Sequence, residues 1–382
     1  MIEPNELNEI AAHVKSRLTD LKDAQKQGKK VVGYMPEGYL PEELVLASGA
    51  IPIGMIRGGD QAAVESSGPY VSRWVDAFYR GQIGYLTDEN DPFYSILDLL
   101  VVPITDTHCR SIADVVSVYT KINLFQFGVP RKKSLNGLEH YKLGLNRLKD
   151  KLEELTGNKI TDEKLKKATD LCNRERELFK EISLMRKADE LPISFKDYLS
   201  LHHSSMIADK EFMVAKLEKI VSNLKKQPHE KPEGPRILLT ASTLAYGDAK
   251  VATLLEESGA TVVIEEVGLG MRPYWNNVST DGNLMDNIAD TYFMKRVFPA
   301  WGRPGRERLD FICRLAKDFR VDGVAWYHLL LQEGYKLESF YFPKILKEAT
   351  GLNMLLLESD YGTFETAPLR TRIESYVHSI RR

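Results

Sequence analysis

The stretch DLLVVPITDTHCRSIADVVSVYTK, residues 98–121, limits the fold more than any other part of the chain. Its first part, Leu99 to Ile104, is a short unbroken apolar run, the pattern of a strand covered on both faces. Asp106 and Thr107 then offer an N-cap, and from Arg110 to Lys121 the apolar residues Ile112, Val115, Val116 and Val118 recur at helical spacing. A buried strand running directly into an amphipathic helix is half of a parallel crossover unit, so an α/β fold is expected.

The same grammar recurs on either side. GKKVVGYMP reads as a strand ending near Tyr34, PEELVLASG as a short helix with Pro41 in its first turn and Gly49 as its stop, and AIPIGMI as the next strand. After residue 234, PRILLTAST, GDAKVATLLEESG and ATVVIEE repeat strand, helix and strand. VDGVAWYHLLLQ and LNMLLLESDY are two further buried strands, the first emerging into Gln332 and Glu333. With 382 residues, one core is too few, and 43% hydrophobic content fills two. The expected class is therefore α/β, two Rossmann-like domains with parallel sheets joined by a helical segment. Residues 1–137 form the first domain with its N-terminal helix, 138–226 the helical segment and 227–382 the second domain. The segment from 138 to 226 is helical in pattern throughout, with Gly157 as one stop and Thr161 and Glu163 as the next start. KKQPHEKPEGP, with three prolines and many charges, is the linker that closes it.

A formal charge of −2 leaves no electrostatic footprint for nucleic acid, and no apolar run approaches the roughly 20 residues that span a bilayer. Without the apolar core of a signal peptide in its first residues, the chain is expected in the cytoplasm. Three cysteines without CxxC spacing indicate neither a disulfide framework nor a self-contained zinc site. No GxGxxG follows the first strand of either half, and neither a Walker A sequence nor a GxSxG elbow is present. This chain is not expected to hydrolyse ATP itself.

Candidate site residues follow from position. Cys109 sits where a strand's carboxyl end enters a helix, the place where open α/β sheets bind ligands and where a helix N-terminus favours a thiolate. A structural cysteine in a βα loop is the other reading. Asp106, His108 and Cys109 supply acid, base and sulfur within four residues, although working constellations are assembled across a fold rather than along a sequence. Cys172 and Cys313 lie on helical patterns and read as packing residues. His202 and His203, adjacent on a helix, cannot form an i, i+4 metal pair and read as surface or helix-contact residues. In VGLGMRPYWNNV, Arg272 stands beside Tyr274 and Trp275 in what reads as a long loop. That combination suits either an anionic ligand with a flat or apolar part or a capping loop held by aromatic packing.

The order of blocks resembles the 2-hydroxyacyl-CoA dehydratase D component and its relatives, the benzoyl-CoA reductase B and C subunits. The carriers are VGYMPEGYLPEELVLASGAIPIGM, LLVVPITDTHC, DGVAWYHLLLQEGYKLESFYF, LLLESDY and LRTRIESYV, spread over nearly the whole chain. The resemblance implies paired Rossmann-type domains, a heterodimer with a paralogous subunit, an acyl-CoA substrate and a cysteine-ligated 4Fe-4S cluster between the domains. It also implies a separate ATP-hydrolysing activator that delivers low-potential electrons for dehydration or reduction of the thioester. Cys109 matches the cysteine of the family's central motif, whereas two other ligand positions fall near Val71 and on Gln332. Cys109 and Gln332 are thus the expected metal-site residues, and His108, Arg272, Tyr274 and Trp275 the expected substrate or partner contacts. Alternatively, the chain is a cluster-free partner or scaffold that binds a paralogous catalytic chain or a small acyl ligand.

Overall fold

The structure, a computed structural model, describes residues 4–36, 38–88, 91–229 and 231–381. Residue 230 of the expected linker therefore lies outside the described residues. Mostly apolar segments of four to seven residues form eight strands among the described residues: β1 (Val31–Tyr34), β2 (Ile51–Gly54), β3 (Leu99–Ile104), β4 (Leu124–Gly128), β5 (Arg236–Ala241), β6 (Thr261–Glu266), β7 (Gly323–Leu329) and β8 (Met354–Ser359). They form two all-parallel sheets, ordered β2-β1-β3-β4 and β6-β5-β7-β8, so the two halves repeat one topology. Register runs Val32↔Leu99 to Tyr34↔Val101 in the first sheet and Ile237↔Gly323 to Ala241↔Tyr327 in the second. Both are Rossmann-like, as the alternation of patterns predicts. In each sheet the chain reverses its direction of winding beside the first strand, which opens a crevice at the strands' carboxyl ends.

Local chemistry explains the elements. Five of the six β3 residues are buried, and Pro103, which has no N–H to give, falls beyond the last pairing with β1. Asp106 caps the next helix, Thr107–Tyr119, by accepting the Cys109 amide at 2.8 Å. Between the sheets, helix Leu135–Thr156 stops at Gly157 in the left-handed region (φ 72°), and helix Asp162–Met185 starts on the Thr161 hydroxyl. The segment VGLGMRPYWNNV is more ordered than its sequence suggests. It contains a short helix, Met271–Tyr274, whose side chains turn inward. β4 has no counterpart in the sequence reading: its burial is partial and irregular, as befits an edge strand.

The two halves pack closely. Helix Leu135–Thr156 carries Tyr141, fully buried, onto Phe293 of the second half with ring centroids 5.5 Å apart. Beyond β2, the backbones of the halves meet directly: Gly58 N–H donates to Tyr246 O and Tyr246 N–H to Ile56 O, each at 2.8 Å. Here glycine is required. Gly59 has φ +74°, and a Cβ on it would lie 2.4 Å from the Gly247 carbonyl oxygen. Gly59→Ala is therefore expected to destabilise the protein by roughly 2 kcal/mol or more. Gly28→Ala, at a similar φ of +87° with nothing within 4 Å, should lose only about 1 kcal/mol. Urea melts of the two variants would measure the difference, and equal losses would show that the close approach costs nothing.

Candidate functional site in the interdomain cleft

A cleft of about 290 Å³ opens where the carboxyl ends of β3 and β7 face each other. From the first half come Asp76 and Tyr79, at the start of helix Ala77–Thr87, together with Asp106, Thr107, His108 and Arg131. The second half contributes Thr243, Trp301, Arg303 and the run from Gln332 to Tyr335. Leu337 stands on the rim side of the same lining.

Its chemistry centres on a pair absent from the sequence reading. His108 Nδ1 lies 2.9 Å from Asp76 Oδ2, and Asp76 also accepts the Tyr79 amide at 3.1 Å to cap its helix. Burial alone would lower the His108 pKa, but the hydrogen bond and charge of Asp76, joined by Asp106 and Glu333, more than offset it and raise the pKa. With Nδ1 directed at the carboxylate, Nε2 is the nitrogen left to exchange a proton with a ligand. Gln332 ties the second half to this pair. Its amide nitrogen is 3.4 Å from Asp76 Oδ2, while its oxygen accepts the Leu329 amide at 3.2 Å. Leu331, just before it, takes a positive φ of 72° to make the turn.

Of the six sequence candidates, only His108 and Gln332 line the cleft. Cys109 has no exposed surface. It belongs to the apolar core with Leu100, Ile112 and Val116, and its Sγ donates to the Pro103 carbonyl at 3.1 Å. The expectation of a sulfur facing the cleft is thereby corrected: the helix turns Cys109 into the apolar core, and it is not among the residues that line the cleft. Arg272 is spent internally: Nε meets Glu266 at 2.5 Å, one terminal nitrogen reaches Tyr335 Oη at 2.9 Å, and the other the Ala241 carbonyl at 3.0 Å. Tyr274 is buried against Tyr198 and Glu265, and Trp275 packs beside Phe311 under the Lys180 ammonium. These three do not reach the cleft. His202 and His203 are buried rather than at the surface, and His202 packs on Phe179 of helix Asp162–Met185, the helix-contact alternative.

Nothing in the donor set suits a cysteine-held iron-sulfur cluster. Cys172 and Cys313 are buried in helices Asp162–Met185 and Gly305–Asp318, and burial raises both thiol pKa values. Val71 packs on the core, and Gln332 offers a neutral amide. Among the described residues no group of three or more His, Cys, Asp or Glu side chains is placed to hold a metal ion. Nor is any described helix long and apolar enough to cross a membrane.

Two four-stranded, all-parallel sheets with a polar cleft at their carboxyl ends define an α/β protein with two Rossmann-like halves. A family profile described as 2-hydroxyglutaryl-CoA dehydratase, D-component, matches residues 37–380, and the chain belongs to that family. It is 23% identical over 383 residues to the (R)-phenyllactyl-CoA dehydratase beta subunit of Clostridium sporogenes, covering 98% of each chain. With a benzoyl-CoA reductase subunit of Thauera aromatica it shares 23% identity over 274 residues, 71% of this chain and 70% of that one. With the beta subunit of (R)-2-hydroxyglutaryl-CoA dehydratase from Acidaminococcus fermentans it shares 20% over 388 residues, 98% of each. All three are enzyme subunits.

Proposed function

We propose that this chain is a cluster-free subunit of a hetero-oligomeric CoA-thioester dehydratase or reductase, working beside a paralogous chain that holds the 4Fe-4S cluster. Low-potential electrons would reach that chain from an ATP-hydrolysing activator. The present subunit would shape the shared site and handle protons through Asp76 and His108. One observation carries the reading: where the family pattern calls for thiolates, this chain has a sealed thiol at Cys109, an amide at Gln332 and an aliphatic side chain at Val71. The names of the relatives, each a subunit, support the hetero-oligomer. So does an exposed apolar stripe on helix Glu333–Thr350, where Leu337, Phe340 and Tyr341 are 52%, 75% and 38% exposed at i, i+3, i+4 spacing beside the cleft.

Iron and acid-labile sulfide, measured on protein purified without oxygen, test the proposal. The chain alone is expected to carry substoichiometric iron, its complex to carry iron in proportion to the partner, and Cys109→Ser to change neither. Stoichiometric iron in the isolated chain that disappears in Cys109→Ser would overturn it.

A further inference from the structure

A second cavity, which shares no lining residue with the cleft, lies between the turn after β1, the helical segment and the second half. Its walls include Tyr34, Glu175, His202, Lys210, Tyr292 and Arg296. The volume is about 60 Å³. One water needs roughly 10–15 Å³ by the same measure, so there is room for about four to six non-hydrogen atoms.

Three of its side chains present buried polar atoms that have no hydrogen-bond partner among the described residues: both ring nitrogens of His202, Oε1 of Glu175 and Nε of Arg296. His202 is 2% exposed and held between the rings of Phe179 and Tyr274, at centroid distances of 4.7 and 4.9 Å. Burial, with His203 and Lys210 nearby, lowers its pKa well below the ordinary value and keeps the ring neutral. A neutral imidazole has one N–H and one lone pair, and leaving either unmet costs about 1–3 kcal/mol. Charge is unevenly distributed around the cavity. Lys210 lies between two carboxylates, Glu42 at 2.6 Å and Glu175 at 2.7 Å, while Arg176 is matched by Glu43. Arg296, 4% exposed, donates only to the carbonyls of Gly38 and Pro273 and lies 3.6 Å above the Tyr292 ring. It forms no ion pair among the described residues. Among the described residues, the cavity thus offers a cation without an anion at one wall and a carboxylate oxygen without a donor at another.

We propose that this cavity binds a small zwitterionic α-amino acid of glycine or alanine size, with its carboxylate on Arg296, its ammonium on Glu175 and an edge on His202. Such a ligand has no net charge to bury and meets all three side chains. A simple anion would satisfy Arg296 and face the Glu175 carboxylate, leaving a repulsion in place of a bond.

Equilibrium dialysis of the full chain against labelled glycine and alanine, with acetate, methylamine and inorganic phosphate as competitors, tests the assignment without partner, cluster or turnover. An amino acid is expected to bind, and acetate and methylamine, which each carry one half of its charge, to bind at least about tenfold more weakly. Glu175→Gln and His202→Phe are expected to weaken glycine binding by about the same factor. In the same variants the rise of Tm with added glycine should need about tenfold more glycine. His202→Phe fits the aromatic walls and serves if Glu175→Gln folds poorly. Absence of amino-acid binding, which would mean that the cavity holds water only, overturns the proposal. Acetate or phosphate binding as tightly as glycine, or both variants binding it unchanged, does the same.

Discussion

Replacing Glu266 with alanine is expected to destabilise the protein by about 3–5 kcal/mol, the scale for removing one partner from a buried ionic network. Glu266 ends β6 with no exposed surface and accepts from three side chains: Arg272 Nε at 2.5 Å, Arg308 Nε at 3.1 Å and Thr240 Oγ1 at 2.8 Å. Arg308 also pairs with Glu338 and lies over Trp326 at 4.7 Å. Alanine would leave the buried Arg272 guanidinium without its carboxylate and Arg308 with Glu338 alone. Urea unfolding measures the loss, and a value below about 1 kcal/mol, the range of exposed pairs, would show that the network contributes little. pH provides a second reading. Burial pushes the Glu266 pKa up, but Arg272 and Arg308 outweigh it and hold the carboxyl below its ordinary value. A pKa depressed in the folded state contributes stability that is complete above the unfolded value and is lost as pH falls through the folded one. Glu266→Gln should therefore flatten the acid side of the stability curve as well as lower its plateau.

His108→Ala is expected to reduce turnover of the assembled complex by roughly 10²–10⁴-fold, the usual contribution of a positioned acid-base group. Folding should survive, since the ring lies in the cleft wall with 16% of its side chain exposed. Asp76→Asn sharpens the test. Asparagine can still cap helix Ala77–Thr87 through its side-chain oxygen, but it removes the charge that holds the His108 pKa up. The limb of the pH–rate profile that reports His108 should then move to lower pH. In stability the sign is opposite to that of Glu266. A raised histidine pKa stabilises the fold fully below the unfolded value, and that contribution fades as pH rises through the folded one. Unchanged turnover in His108→Ala, with an unshifted profile in Asp76→Asn, would remove the pair from the mechanism.

The relation between the sequence and this site is uneven. The strand–helix junction at residues 99–119 is legible because burial of an apolar run and capping by Asp106 are local effects. The direction of the sulfur is not. Successive helix residues turn by about 100°, so with His108 on the cleft, Cys109 points into the core. Asp76 leaves a signal only as a helix cap, and its partners His108 and Gln332 are 32 and 256 residues away. Arg272 looked available in sequence because its counter-charge, Glu266, reads there as an ordinary strand end. The edge strand β4, half exposed and without an unbroken apolar run, offered too little periodicity to be recognised.

Taken alone, the order of residues determined the alternation of strands and helices, the caps and stops that bound them and the membership of the family, because hydrophobic period, capping and block order are written along the chain. Only the tertiary structure decided which polar groups meet. The Asp76–His108–Gln332 cleft, the buried arginine network and the His202 nitrogens that find no partner among the described residues depend on how two sheets and the helices between them close on one another. That closure is set by contacts between residues far apart in sequence, which no local pattern records.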